Sequence, residues 1–476
     1  MKIVILGAGQ VGASVAEALV SEDNDITVVD QNREALARLT DRLDIRTVAG
    51  NAAYPSVLRQ AGIEDADMLV AVTQSDQTNL VACRIARSMF ALPTRLARLR
   101  SADFLEDPRL LSDENFAVTH AICPEKDITD YIASLVRYPE ALQVLKFADG
   151  RVTLVCVRAF EGGLLVGKPI REMRAHLPPE ADARIAAIFR GSQPVEPDGG
   201  TVIEAGDEVF VLAATYHMRP VMQELRRMLK PVRRVMIAGG GNIGARAAAA
   251  LEENYEVKLI ERDAERAEVV AARLGKTLVL SGDATDEDLF IQENIDEMDM
   301  FLALTNDDED NIMAASLAKR LGCKRVVALI NRRAYAEMVQ GGPIDISISP
   351  AQISIGALLA HVRRGDVVRV HRLRRDAAEA LEIIAHGDRA TSKVVGRRLD
   401  ELPRIKGAHI GAIVRRSKET RVVKREGFLV DEFVDEVIIP HHDTVIEPGD
   451  HVVVFCVYKR QIPEVERLFQ VSAGFL

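Results

Sequence analysis

The 476 residues contain no tryptophan, and aromatic residues make up only 4% of the chain. No apolar run approaches the roughly 18 residues that would argue for a membrane-spanning helix, so a transmembrane segment is not expected. Positive charge is not in excess either. The formal net charge is −10, and Lys and Arg are spread without a polybasic block, which argues against a nucleic-acid backbone as partner. Cysteine is sparse. Cys83, Cys123, Cys156, Cys323 and Cys456 show no C-x-x-C spacing, and an odd, dispersed set fits reduced thiols in the cytosol. The chain opens directly on a strand pattern, so no signal peptide is expected. Catalytic signatures are missing as well: there is no Ser/His/Asp elbow, no H-E-x-x-H, and no cysteine beside a plausible general base. His441-His442-Asp443 reads as a loop rather than a metal site, because adjacent side chains diverge on a strand or turn.

What the chain does have, it has twice. KIVILGAGQVG begins at Lys2, and RRVMIAGGGNIG runs from Arg233 to Gly244. Each is a short apolar run followed by G-x-G-x-x-G. Gly7, Gly9 and Gly12 match Gly239, Gly241 and Gly244; DITVVD ends at Asp30, and EVKLIE ends at Glu261. ADMLVAVTQSDQTNLVA then matches MDMFLALTNDDEDNIMA, and the register holds to Pro124 and Pro350. The remaining segments repeat too: VGKPIREM and TVIEAGDEVFVLA resemble VGRRLDEL and TVIEPGDHVVVFC, with an insertion near REGFLVDEFVDEVI in the second copy.

The order is therefore A-B-A′-B′. The A segments alternate β-branched runs with helical patterns and predict Rossmann-like α/β domains on parallel sheets. The B segments predict small α+β domains. The expected boundaries are 1–140 and 231–364 for the Rossmann-like domains, and 141–230 and 365–476 for the small ones. Linkers are expected near Asp149-Gly150, Lys230-Pro231 and Arg364-Gly365.

In each A segment the first glycine permits the tight turn. The second lets backbone approach a pyrophosphate, and the third lets the helix pack on the sheet. The helix N-terminus then faces the phosphates. An acid about 20 residues on completes the fingerprint. Asp30 and Glu261 are candidate acceptors for the adenosine ribose hydroxyls, favouring NAD(H) over NADP(H); the alternative is a solvated acid at a strand end. Asn51 and Asp283 follow the third strand and are either adenine contacts or turn formers. Thr73 and Thr305 end the fourth strand at the cleft mouth. Ser75-Asp76 and Asp307-Asp308 read as helix caps or as lining of the cofactor's far end.

Taken together, GAGQVG and GGGNIG with their acids, AVTQSDQTN with ALTNDDEDN, and the paired TVIE(A/P)GD elements resemble the TrkA family. Its members are cytosolic regulatory subunits of Trk-type potassium uptake systems, and the resemblance covers essentially the whole chain. It implies a non-enzymatic protein that binds NAD(H), and ATP or ADP, without turning them over. It implies a homotetrameric ring, peripheral on the cytoplasmic side of the cell membrane, docked on a membrane-embedded Trk-type potassium transport subunit. Carried over residue by residue, Gly7, Ala8, Gly9, Gln10, Val11, Gly12 and Asp30, with Thr73, Gln74 and Arg98, form the first site. Gly239, Gly240, Gly241, Asn242, Ile243, Gly244 and Glu261, with Thr305 and Asn306, form the second. The helices after Pro124 and Pro350 match the family's crossover helix; Ile128, Ile132 and Leu135 give the first an apolar stripe, for assembly or for core packing. The two sites are not alike. Arg98 can reach a diphosphate or triphosphate, and Glu125 is a candidate ligand for a cation beside those phosphates, unless either is a plain surface charge. Ala328 to Ile330 and Ala351 stand in the corresponding places of the second site.

Overall fold

The computed structural model describes residues 1–476 except 21–23, 102, 192, 229, 340–341, 364–365, 374–377, 426–427 and 472–476, and no side chains for 333, 337, 354 and 417–434. The expected linker at Arg364-Gly365 lies outside the described residues. The strands in chain order are β1 Lys2–Leu6, β2 Asp25–Asp30, β3 Arg46–Ala49, β4 Met68–Ala71, β5 Thr94–Arg98 and β6 His120–Ile122. Then follow β7 Ala141–Phe147, β8 Val152–Arg158, β9 Ala183–Arg190, β10 Gln193–Val195 and β11 Glu208–Ala214. The second half repeats the series with β12 Arg234–Ala238, β13 Glu256–Glu261, β14 Leu278–Ser281, β15 Met300–Ala303, β16 Val326–Leu329 and β17 Ile346–Ile348. It closes with β18 Val367–Leu373, β19 Ala378–Ile384, β20 Ala408–Arg425, β21 Phe428–Ile438 and β22 His451–Cys456.

Two six-stranded sheets have the orders β3-β2-β1-β4-β5-β6 and β14-β13-β12-β15-β16-β17, with parallel pairing wherever the register is given. Val, Ile and Leu dominate their central strands, and every residue of β4 and β15 is buried. That is the pattern of strands covered by helices on both faces. The strand order reverses between β1 and β4, and again between β12 and β15. Ligands of doubly wound sheets bind at such switch points, beyond the carboxyl ends of the strands. The B segments form antiparallel five-stranded sheets, β10-β9-β11-β8-β7 and β18-β19-β22-β20-β21. Read from opposite edges these are the same topology. The sequence insertion of the second copy falls on the β20–β21 hairpin, which is longer than β9–β10.

The chain divides into two compact units. One comprises Met1–Ala133 and Val232–Leu358, the other Ser134–Pro231 and Leu359–Leu476. The first unit thus holds both parallel sheets and the second both antiparallel ones. On helix Pro124–Arg137, Ile128 and Ile132 are 1% and 0% exposed within a single chain. The apolar stripe serves core packing here, and a charge at either position would be buried inside the chain.

Candidate functional site

The two G-x-G-x-x-G turns assign a separate steric role to each glycine. Gly7 and Gly239 have φ of +109° and +101°, a region that strains any residue with a Cβ. A Cβ on Gly12 would lie 1.9 Å from the Gly7 carbonyl oxygen, and one on Gly244 1.9 Å from that of Gly239. These third glycines are needed for the helix to close on the strand. A Cβ on Gly9 or Gly241 would meet nothing within 4 Å. The middle glycines therefore face open space, which is the cradle a pyrophosphate requires. Helix Gln10–Val20 has no acidic residue in its first turn, and neither does helix Asn242–Leu251. Both N-termini keep their unpaired N–H groups and partial positive charge for an anion.

The acids at the ends of β2 and β13 fix these turns. Asp30 Oδ2 accepts from the Ala8 N–H at 2.6 Å, and its Oδ1 from the Asn32 N–H at 2.7 Å. Glu261 Oε2 accepts from the Gly240 N–H at 2.6 Å, and its Oε1 from the Asp263 N–H at 3.0 Å. The pairing also explains a difference between the copies. A Cβ on Gly240 would sit 3.0 Å from Glu261 Oε2, so the longer acid goes with glycine and the shorter acid with Ala8. Each carboxylate has lone pairs left for ribose hydroxyls.

At the fourth strand, two residues that sequence reasoning did not single out hold the mouth of each cleft. Asn79 is fully buried; its Oδ1 accepts from the Thr73 N–H (3.0 Å) and hydroxyl (2.7 Å), and its Nδ2 donates to the carbonyls of Thr73 (3.3 Å) and Arg98 (2.9 Å). Asn311 repeats the set with Thr305 and the Leu329 carbonyl. The only signal was the final Asn of AVTQSDQTN and ALTNDDEDN. Ser75 and Asp307 are true N-caps. Asp76 and Asp308 are not: they reach sideways to accept from the backbone of Arg100 and Ser101, and of Asn331 and Arg332. Asn51 closes a turn by accepting from the Ala53 N–H at 2.9 Å. Asp283 does so with Thr285 at 2.8 Å, and the Thr285 hydroxyl bond holds its carboxyl below the usual range.

One cleft of about 1440 Å³ gathers the predicted residues of both Rossmann domains. Gly7 to Val11, Asp30, Thr73, Gln74 and Arg98 line it from the first domain; Gly239, Gly241 to Ile243, Glu261, Asp283, Thr305 and Asn306 line it from the second. Gly12, Gly240, Gly244 and Asn51 do not reach its surface and serve the turns behind it. At the end of β5, Arg98 donates to Glu125 Oε1 at 2.9 Å and Arg100 to the same oxygen at 3.3 Å. The Glu125 side chain is 5% exposed. Its Oε1 is thus the counter-ion of two guanidinium groups. Among the described residues no group of three or more His, Cys, Asp or Glu converges as a metal site. Glu125 Oε2 and Arg98 Nε are buried without a hydrogen-bond partner. His441 Nε2 lies 3.3 Å from Asp182 Oδ2.

Paired G-x-G-x-x-G cradles, carried on tandem Rossmann-like domains that alternate with small antiparallel domains, define a class of tandem Rossmann-like proteins. The TrkA-N domain model matches residues 3–124 and 235–350, and the TrkA-C domain model matches residues 157–221. The chain is 53% identical to the Trk system potassium uptake protein TrkA of Vibrio alginolyticus and 52% identical to that of Halomonas elongata, each over 100% of both chains. The chain belongs to the TrkA family, regulatory subunits of potassium transporters that are not enzymes. Among solved structures it shares the fold of the GsuK RCK domain, with a TM-score of 0.59 and 19% identity over 98% of this chain and 94% of that one. The GsuK channel bound to NAD gives a TM-score of 0.59 over 98% and 79%. No helix among the described residues is long and apolar enough to cross a membrane.

Proposed function

We propose that this subunit senses NAD(H) and adenine nucleotides, ATP and ADP included, and gates a membrane-embedded Trk-type potassium transport subunit from its cytoplasmic face. The observation that carries this reading is the doubled cradle. Gly9 and Gly241 face open space between an uncapped helix N-terminus and an acid fixed by the same turn. That arrangement suits a pyrophosphate with an adenosine ribose beside it. Gly7 to Gly12, Asp30, Thr73, Gln74 and Arg98 make the first site, and their counterparts from Gly239 to Asn306 the second. Asn51 is assigned to the turn, and no cation is assigned to Glu125. The four domains divide near residues 140, 230 and 364. Four chains then bring eight Rossmann domains into a ring at the membrane. Tandem sensors give a symmetric partner many equivalent levers, and contact between repeated patches closes such a ring.

The test combines binding and transport. NADH and ATP are titrated against the full-length chain by calorimetry, its mass is read by light scattering, and potassium uptake is followed with the membrane subunit present. Binding of both ligands, a four-chain mass and nucleotide-dependent uptake are expected, with Gly9→Asp weakening binding at the first site. A chain that binds neither ligand, or a monomer, overturns the reading.

A further inference from the structure

Within the shared cleft the two sites differ most where the far end of a nucleotide would lie, and the difference extends across the domain boundary. In the first domain Arg98 and Arg100 flank Glu125, and Arg98 Nε and Glu125 Oε2 remain without partners in a buried setting. The parallel pairing of β15 with β16 puts Leu329 and Asn331 at the corresponding places of the second domain, with Ala351 for Glu125. Asp310 lines the cleft on the second domain's side, where the first has Thr78. At that end the first site offers the guanidinium groups of Arg98 and Arg100, whereas in the second Asp310 stands 3.9 Å from Arg262.

Arg246 adds a contribution from outside the first domain. It stands one turn beyond Asn242 and Ile243 on helix Asn242–Leu251 of the second domain. Its Nη2 donates to the Arg100 carbonyl at 3.3 Å, and its Nη1 points at Cys123 Sγ at 3.9 Å. One side chain therefore holds both segments that carry the charged end of the first site, the β5 exit with Arg100 and the Cys123-Pro124-Glu125 corner. No carboxylate among the described residues lies within ion-pair distance of it. The matching position in the first domain is Ser14, which is too short and uncharged to do the same for the second site.

We infer that the first site is a composite of both Rossmann domains, in which Arg246 positions the Arg98–Arg100–Glu125 cluster for the terminal phosphates of a nucleoside di- or triphosphate and so reports their presence to the second domain. This rests on the nucleotide-binding reading above. Terminal phosphates engage Arg98 and Arg100, whose planar donors suit phosphate oxygens. They draw on the two segments that Arg246 grips, and the second domain follows. A monophosphate does not extend to this cluster and leaves the grip as it is. The second site has Leu329 and Asn331 where the first has Arg98 and Arg100, and takes the adenosine part without a comparable grip on extra phosphates.

The test uses the full-length chain with Gly241→Asp, which puts a carboxylate into the second cradle so that the first site is read alone. AMP, ADP and ATP are titrated against this chain with and without Arg246→Ser, the residue found at the equivalent place in the first domain. ATP affinity is expected to fall about tenfold, because Arg100 and the Glu125 corner lose the side chain that holds them, while AMP affinity stays within a factor of two. Arg246→Lys keeps the charge but not the two-point grip and should fall between. ATP, but not AMP, should slow amide exchange across 242–251, and this protection should vanish in Arg246→Ser. Equal loss for AMP and ATP, or unchanged ATP affinity in the Lys and Ser variants, overturns the inference. If Arg246→Ser does not fold, unchanged ATP affinity and exchange protection in Arg246→Lys overturn it alone. A chain that binds neither AMP nor ATP before Arg246 is altered would instead remove the nucleotide-binding reading itself.

Discussion

Replacing Asp30 with alanine separates the two cofactor types by sign as well as by size. The carboxylate accepts two backbone N–H groups, from Ala8 at 2.6 Å and Asn32 at 2.7 Å, and is only half buried. Water can reach both donors once it is gone, so the stability cost should stay near 1 kcal/mol. A ribose diol bonded to the same carboxylate forfeits charge-assisted bonds, each worth about 1.5–3 kcal/mol in place. Partial replacement by water leaves a net loss of about 1–2 kcal/mol for NAD(H), roughly a five- to thirty-fold weaker Kd. A 2′-phosphate meets the opposite situation. At about 4 Å from the carboxylate its repulsion amounts to about 1 kcal/mol in water and about 4 kcal/mol at the lower dielectric of a protein surface. NADP(H) should therefore bind equally well or better after the substitution, and the preference for NAD(H) should collapse. Calorimetric titration of both cofactors against Asp30→Ala, in a chain carrying Gly241→Asp to silence the second cleft, reads the ratio directly. Equal losses for the two cofactors would show that Asp30 fixes the turn and does not touch the ribose.

The glycines predict a contrast within one motif. Gly12→Ala drives a methyl group to 1.9 Å from the Gly7 carbonyl and should destabilise the fold by about 1–3 kcal/mol, whereas Gly9→Ala should leave melting unchanged and lower nucleotide affinity. Arg98→Ala should abolish nucleotide control of potassium uptake while Gly241→Asp has a smaller effect; loss of regulation in the Gly241 variant alone would put the working site in the second half. Because Glu125 is buried beside Arg98, the Arg98 variant should also melt lower, and adding Glu125→Gln should restore part of that loss. In the second compact unit, the Glu382 hydrogen bond raises His451 above its ordinary value, against the effect of burial. The stability this pair adds is full below about pH 6.5, fades as pH climbs through the raised His451 value, and is lost again in acid once Glu382 is protonated. His451→Ala should therefore lower Tm more at pH 6 than at pH 8.5, and an equal drop at both would exclude the ion pair.

Much of this protein is written locally. An apolar run, a G-x-G-x-x-G turn and an acid at the next strand end lie within about 30 residues, and their geometry follows from sterics that neighbours in the chain impose on one another. That is why Gly7, Gly12 and Asp30 could be read off, and why the doubling was legible: each repeat states its own turn chemistry. The small domains were legible as alternating strands, though not as antiparallel sheets of one shared topology. What tertiary structure alone decided joins residues distant in sequence. Asp76 reads as a cap in its own helix but turns to the backbone of Arg100 and Ser101, because β5 packs beside β4. Asn79 looked like any helix residue until burial demanded that all its polar groups be satisfied. Glu125 suggested a cation ligand by charge alone, and only the fold surrounded it with Arg98 and Arg100. Ile128 and Ile132 formed an apolar stripe that periodicity could not assign to a neighbour, and they lie buried within one chain. The union of both cradles in a single cleft, with Arg246 beside a cluster more than a hundred positions away, depends on how two domains meet. That is a matter of surface complementarity, and no local pattern of residues encodes it.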